Sequence, residues 1–359
     1  MEEERRGVLY NGIRSQKEKG DIGTMDKKEN LRCALTGQPH DWVPASFFFH
    51  LKPHELEGEA CTRFHVNFYR KTDVDFLKVM HDGLTAPCTL SPQGLGELKD
   101  YRPGRESNAY VSAYLDRVCR VSDALGGDAA VYANIFSPFT LLRRIGEERL
   151  LSYIREDASA VRDVLCRMAE DIGWMAEQMV RKAGCMGNFL AFQGAESNLF
   201  SVEEYENWIQ ESDRILLDAA NQASPYNILH FCGWNQVKNH LEVWKEYPGC
   251  AVNWAIYVED LSLEEGRKYF GMRPVMGGFD NRKTGLLYCG SQAQVEEETR
   301  RIIEAYRRAF GSTDTLILGA DCSFLTDFSP ERFRWVLDTA KAGLGGRRND
   351  GGSYGQRIV

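Results

Sequence analysis

The sequence predicts an α/β protein built as a single (β/α)8 TIM barrel with an extra N-terminal segment. Three observations carry that prediction. About eight short apolar runs bounded by turn residues recur along the chain, and segments of helical periodicity lie between them. Most of the runs are nearly continuous rather than alternating, as parallel strands covered on both faces should be. The length of 359 residues suits such a barrel as one unit.

In chain order the candidate strands are Val43–Phe49, Asp75–His81, Ala129–Ser137, Asn188–Gly194, Asn227–Gly233, Ala251–Val258, Pro274–Asp280 and Thr315–Cys322. The segments between them carry helix ends that can be read directly. Ala158–Ala183 is amphipathic and closed by Gly184. Ser201-Val202-Glu203-Glu204 is a capping box opening a helix through Ala220. Ser262 precedes Glu264 and Glu265 at the start of a short helix ending at Gly271. Ser291 opens a charged helix to about Phe310, closed by Gly311. Ser329-Pro330-Glu331 places proline in the first turn of a last helix ending near Gly343. An open doubly wound sheet is the alternative architecture, but no GxGxxG or GxxxxGK[ST] opens any helix, so a nucleotide phosphate cradle is unsupported.

Residues 1–29 are polar and charged with little periodicity, and 344–359 are rich in Gly and Arg. Both are expected to be disordered, leaving residues 30–343 as the barrel. Hydrophobic content of 43% and charged content of 27% are ordinary for a globular enzyme. A formal charge of -8 with no Lys/Arg stripe argues against nucleic acid as a partner. No apolar run reaches membrane-spanning length, and no hydrophobic signal core opens the chain. Ten cysteines without paired spacing read as reduced thiols in the cytoplasm.

The chemistry concentrates at the C-terminal ends of the candidate strands, where barrels place function. Asp82, Ser137, Gln193, His230, Cys232, Asp280 and Cys322 all fall there. His230 and Cys232 share one strand face above Ile228, and the same count aligns Cys322 with Leu316, Leu318 and Ala320. One imidazole and two thiolates meeting there would make a three-ligand zinc site with an open fourth position, the catalytic rather than the structural arrangement. The bland alternative is a pair of buried cysteines acting as small hydrophobes beside a core histidine. A fourth ligand such as His50 or His81 would close the site and favour a binding or regulatory role. Asp82 reads either as a substrate contact or as a loop cap before Gly83, and Asp280 as a loop cap or a ligand-orienting group. Asp321, on the opposite face from Cys322, reads as a partner of the site or a carboxylate of the helix layer. The run Phe47-Phe48-Phe49-His50 reads as core plus loop, or as a platform for a flat ring.

From about Asn30 to Gly343 the chain resembles the uroporphyrinogen decarboxylase superfamily. The matching stretches are LRCALTGQPHDWVPAS, IFSPFTLLRRIG, SVEEYENWIQESDRILLDA, NILHFCG, PVMGGFDNRKTGLLYCGSQAQVEEETRRII and LILGADCSFLTDFSPERFRWVLDTA. Two branches follow from the resemblance. Decarboxylase members remove acetate carboxyls from a tetrapyrrole without a cofactor, using an Asp that Asp82 is similar to and arginines near the N-terminus. Here ASFFFHLKPHE stands where those members place the basic loop, and a polyanionic substrate needs such charge-assisted bonds.

The other branch consists of methyltransferases acting between a methylated corrinoid protein and a thiol. They carry zinc on a His-x-Cys after the fifth strand and a Cys after the eighth, which His230, Cys232 and Cys322 match. This resemblance implies protein-bound Zn2+, a corrinoid carried by a partner protein or met as substrate, and a small thiol acceptor. Asp82 and the three ligands are then the catalytic candidates, and Asp82, Ser137, Gln193 and Asp280 the substrate contacts. A monomer or homodimer is expected.

Overall fold

A computed structural model describes residues 25–84, 92 and 94–343. The terminal expectations for residues 1–24 and 344–359 lie outside these. The first helix, Lys27–Leu35, begins a few residues ahead of position 30, with the Asp26 carboxylate accepting from the Glu29 N–H.

Seven strands form one all-parallel sheet in sequential order. They are β1 (Phe76–Val79), β2 (Ala130–Phe136), β3 (Gly187–Phe192), β4 (Ile228–Phe231), β5 (Ala251–Trp254), β6 (Val275–Phe279) and β7 (Leu316–Ala320). Each falls inside or within a residue of a predicted run, because a run of buried apolar residues cannot be solvated and must be sandwiched.

Among the described residues the regular ladder thus counts seven strands, not the eight expected. The segment 43–49 makes only isolated parallel bridges, Ala45 to Leu318 and Phe49 to Phe324. Its neighbour on the other side is β1, reached through Asp75 N–H to Ala45 O (2.9 Å) and Ser46 Oγ to Phe76 O (2.7 Å). Two features keep it from being a regular strand. Pro44 has no N–H to donate, and the Ala45 N–H goes to the Asp75 carboxylate at 2.7 Å.

Two buried layers divide the molecule. Phe76, Tyr132, Phe189, Ile228, Ala251, Met276 and Ile317 form the inner face of the sheet together with Phe48, and the helix Lys27–Leu35 covers one end of it. The alternate residues, such as Leu77, Val131, Leu190, Leu229, Val252 and Leu316, pack outward against the helices. The helix Glu147–Arg181 breaks helical geometry at Asp157, whose carboxylate caps Ala160 N–H at 3.0 Å. Its second half is the helix predicted from Ala158. The helix expected from Ser201 to Ala220 is two helices, Val202–Trp208 and Gln210–Ala223, with Ile209 between them. The helix Gln292–Phe310 ends as expected at Gly311, whose φ of 77° suits only glycine well.

Past β5 the expectation fails. The strand predicted to Val258 stops at Trp254, and Ile256–Glu259 is a short helix. The Asp321 carboxylate accepts the Tyr257 N–H at 2.9 Å, so a side chain from the β7 end satisfies a helix donor. Among the described residues no helix is long and apolar enough to cross a membrane.

Candidate metal centre

β4 carries His230 on its inner face directly above Ile228, and Cys232 follows one residue past the strand end. Cys322 arrives by another route. Leu316, Leu318 and Ala320 face the outer layer, so strict alternation would send Cys322 outward too. The strand ends at Ala320, and the bend through Asp321 reverses the alternation, turning Cys322 inward and Asp321 toward the helix layer.

The three side chains meet. Cys322 Sγ lies 3.9 Å from Cys232 Sγ and 3.8 Å from His230 Nε2, and all three ligand atoms are within 4.8 Å of one another. Ligands bound at about 2.0–2.3 Å to a tetrahedral ion stand about 3.5–3.8 Å apart, so the residues present fit such an ion. Neither His50 nor His81 joins this cluster among the described residues.

The hydrogen bond from the Cys232 thiol holds Cys322 well below the ordinary thiol range against the opposing effect of burial, and the Lys78 ammonium pulls the same way. Cys232 is pushed up, first by that same bond and then by burial, so the pair shares one proton.

Asn253 on β5, in register with His230, fixes the imidazole. Its Nδ2 donates to the carbonyls of Met276 (3.0 Å) and Ala320 (3.1 Å), which settles the amide orientation. Oδ1 therefore accepts from His230 Nδ1 at 2.6 Å. The proton sits on Nδ1, and the Nε2 lone pair faces the sulfurs, as a metal-ligating histidine requires.

The other predicted residues divide into three groups. Asp82 is held away from the three ligands: its carboxylate takes His50 Nδ1 at 3.1 Å and the Leu51 N–H at 2.9 Å. Burial works against ionisation of Asp82, but the His50 bond holds its pKa down at about 2. The same bond raises His50. Asp280 caps its own loop, accepting from Arg282 N at 2.8 Å and pairing with that guanidinium. His50, Asp280, Cys322 and Trp234 line one cavity of about 240 Å³. Gln193 bonds the Cys232 side chain and lines a second cavity of about 320 Å³ with Arg144 and, again, Trp234. Ser137 is brought to neither. It is fully buried and its hydroxyl caps the helix Pro138–Leu142 through Thr140.

His81 is engaged elsewhere, between Asn134 (3.0 Å) and Arg144 (2.5 Å), and burial followed by Arg144 keeps it neutral. Asp321 takes the helix-layer role, capping the helix at Tyr257, and it also lines the smaller cavity.

Three residues of the site escaped sequence reasoning. Asn253 and Lys78 are lone polar residues inside apolar strands, AVNW and FLKV, and that interruption was the available signal. Trp234, 52% exposed at the mouth of both cavities, gave none.

The uroporphyrinogen decarboxylase family model matches residues 73–343. The chain belongs to the uroporphyrinogen decarboxylase family. Among solved structures, this family member is similar to a methyltransferase from Methanosarcina mazei, with a TM-score of 0.73 at 14% identity over 89% of this chain and 99% of that one. At that identity the likeness shows the fold. A β-mannanase from the blue mussel Mytilus edulis follows at a TM-score of 0.46 and 11% identity, covering 84% of this chain and 92% of that one. No curated protein matches the sequence.

Proposed function

We propose that this uroporphyrinogen decarboxylase family member is a zinc-dependent methyltransferase that moves a methyl group from a methylated corrinoid protein to a thiol. The observation that carries the reading is the His230, Cys232 and Cys322 cluster, with ligand atoms within 4.8 Å and no fourth His, Cys, Asp or Glu among the described residues. Three ligands with an open side leave room for a reacting group. Zinc held there would supply the Lewis acidity that keeps a thiol in its nucleophilic thiolate form near neutral pH.

The chain's own residues do the rest. Asn253 orients His230, Cys232 and Cys322 supply anionic sulfur, and the cavity lined by Cys322 and His50 admits the acceptor. His50, oriented by Asp82, presents its second ring nitrogen on the side away from the carboxylate, lines the same cavity as Cys322, and in its neutral form would receive the thiol proton. Decarboxylation fits less well, because the Asp82 carboxylate is already occupied by His50 and Leu51.

The test is methyl transfer from methylcobalamin, standing in for the corrinoid protein, to 2-mercaptoethanol. Transfer should require Cys232 and Cys322 and stop on chelation. Turnover of a polycarboxylate porphyrinogen that survives chelation and is lost in Asp82→Asn would overturn the proposal.

A further inference from the structure

Lys78 is a charged residue with no evident reason to be where it is. It points from β1 to the inner face of the sheet and is only 6% exposed. Its ammonium sits over the rings of Phe48 (4.1 Å) and Phe189 (4.5 Å) and reaches one hydrogen-bond acceptor, Ser323 Oγ at 3.5 Å. Among the described residues no carboxylate lies within ion-pair distance of it. Two ring faces and one long hydroxyl contact are poor replacement for the hydration an ammonium loses on burial. Burial pushes Lys78 down, and the negative charge of Cys322, Asp82 and Cys232 opposes that fall, leaving it at about 8. Asp82 already has His50 as its partner. The anions left for Lys78 are the two sulfurs, and its hydroxyl partner Ser323 is the residue after Cys322.

The charge count at the site gives the lysine a purpose. Two thiolates and a neutral imidazole balance a divalent ion, so the three-ligand site is formally neutral. An anionic fourth ligand makes it negative in a largely desolvated place. We propose that Lys78 is the counter-cation of this site, offsetting the negative charge brought in when an anionic ligand, the acceptor thiolate above all, joins His230, Cys232 and Cys322 at the metal. This rests on the methyltransferase reading above. Lys78 is a positioning residue: its ammonium acts on the charge of the bound anion and makes no bond to it.

Charge-selective ligand binding tests the proposal. Cobalt-substituted protein would be titrated at fixed pH with 2-mercaptoethanol and azide, which bind as anions, and with imidazole, which binds neutral, following the visible absorption of the metal. Lys78→Met should weaken both anions about tenfold or more and leave imidazole within about twofold. Lys78→Arg should recover most of the loss. Lys78→Gln, a polar replacement, should behave like Lys78→Met and covers the case in which the methionine variant folds poorly. Equal weakening of all three ligands would mean that the lysine only packs the floor of the site. No weakening of any would equally overturn the proposal. Wild-type protein that takes azide but no thiol would refute the methyl-acceptor reading, while the azide-to-imidazole contrast still decides the role of Lys78.

Discussion

Replacing Asn253 by alanine removes the contact that sets which nitrogen of His230 faces the sulfurs. In the native site Oδ1 holds His230 Nδ1 at 2.6 Å, and Nδ2 bridges Met276 O and Ala320 O. Without it the imidazole is free to rotate and to protonate on the wrong nitrogen. Loss of such a partner typically costs about 10–100-fold in metal affinity, or about 1.4–2.7 kcal/mol. The two buried carbonyls also lose a donor, which adds about 1–3 kcal/mol of destabilisation for each one left unsatisfied. Asn253→Asp separates the two effects, since it keeps an acceptor for His230 but points a carboxylate at both carbonyls. Zinc affinity measured by competition with a chromophoric chelator, alongside the melting temperature, reads both quantities. Asn253→Ala should lose affinity and melt lower, whereas Asn253→Asp should keep most of its affinity and lose more stability. An Asn253→Ala protein that folds and binds zinc within about twofold of wild type would refute the tautomer argument.

Elemental analysis should find about one zinc per chain in purified protein and little in Cys322→Ser, because a hydroxyl is a far weaker zinc ligand than a thiolate. The Asp82–His50 pair sets a pH window. Asp82, depressed from 3.8 to about 2, contributes stability above its unfolded pKa and loses it as pH falls through about 2. His50, raised above 6.5, contributes fully below that value and loses its share as pH rises through its folded pKa. Asp82→Asn should therefore lower the melting temperature most between about pH 4 and 6.5, with the gap narrowing in alkaline buffer; a constant gap would speak against a charged pair. Gly266 packs its helix against β5 so tightly that a Cβ would overlap the Trp254 ring. Gly266→Ala should destabilise by about 1–3 kcal/mol in urea titrations, whereas Gly311→Ser, with nothing within 4 Å, should suffer only from its positive φ.

Continuous apolar runs made the strands legible, and serine caps with closing glycines made the helix starts and stops legible. What failed was anything decided by contacts between distant segments. Val43–Phe49 reads as a strand, yet Pro44 and the Asp75 carboxylate take it out of the ladder. Ala251–Val258 reads as one apolar run, yet a carboxylate from the far end of β7 starts a helix within it. At the site, period-two counting placed His230 and Cys232 correctly, because β4 runs up to them. It misled for Cys322, because the strand stops at Ala320 and the bend beyond resets the count. Ser137 sits at a strand end but faces the following helix, which its position alone could not show. Asn253 and Lys78 owe their roles to neighbours on other strands, and a linear reading sees them only as polar interruptions.

The three ligands are far apart in the order of synthesis. His230 lies in β4 and Cys232 just past it, and Cys322 lies 92 residues beyond His230, past three further strands, β5, β6 and β7. A nascent chain that has emerged only as far as β4 holds a His-x-Cys pair, which is too poor a chelate to keep zinc against the cell's other thiols. The complete set exists only once β7 has docked beside β6 and the bend after Ala320 has formed. Loading of an ion there would report that the late strands have been placed, and it would fasten shut a loop whose closure entropy has already been met by sheet pairing. On the proposed reading, metal capture in this architecture would be a terminal event of folding, unlike that of a small finger domain whose ligands nucleate the fold around the ion.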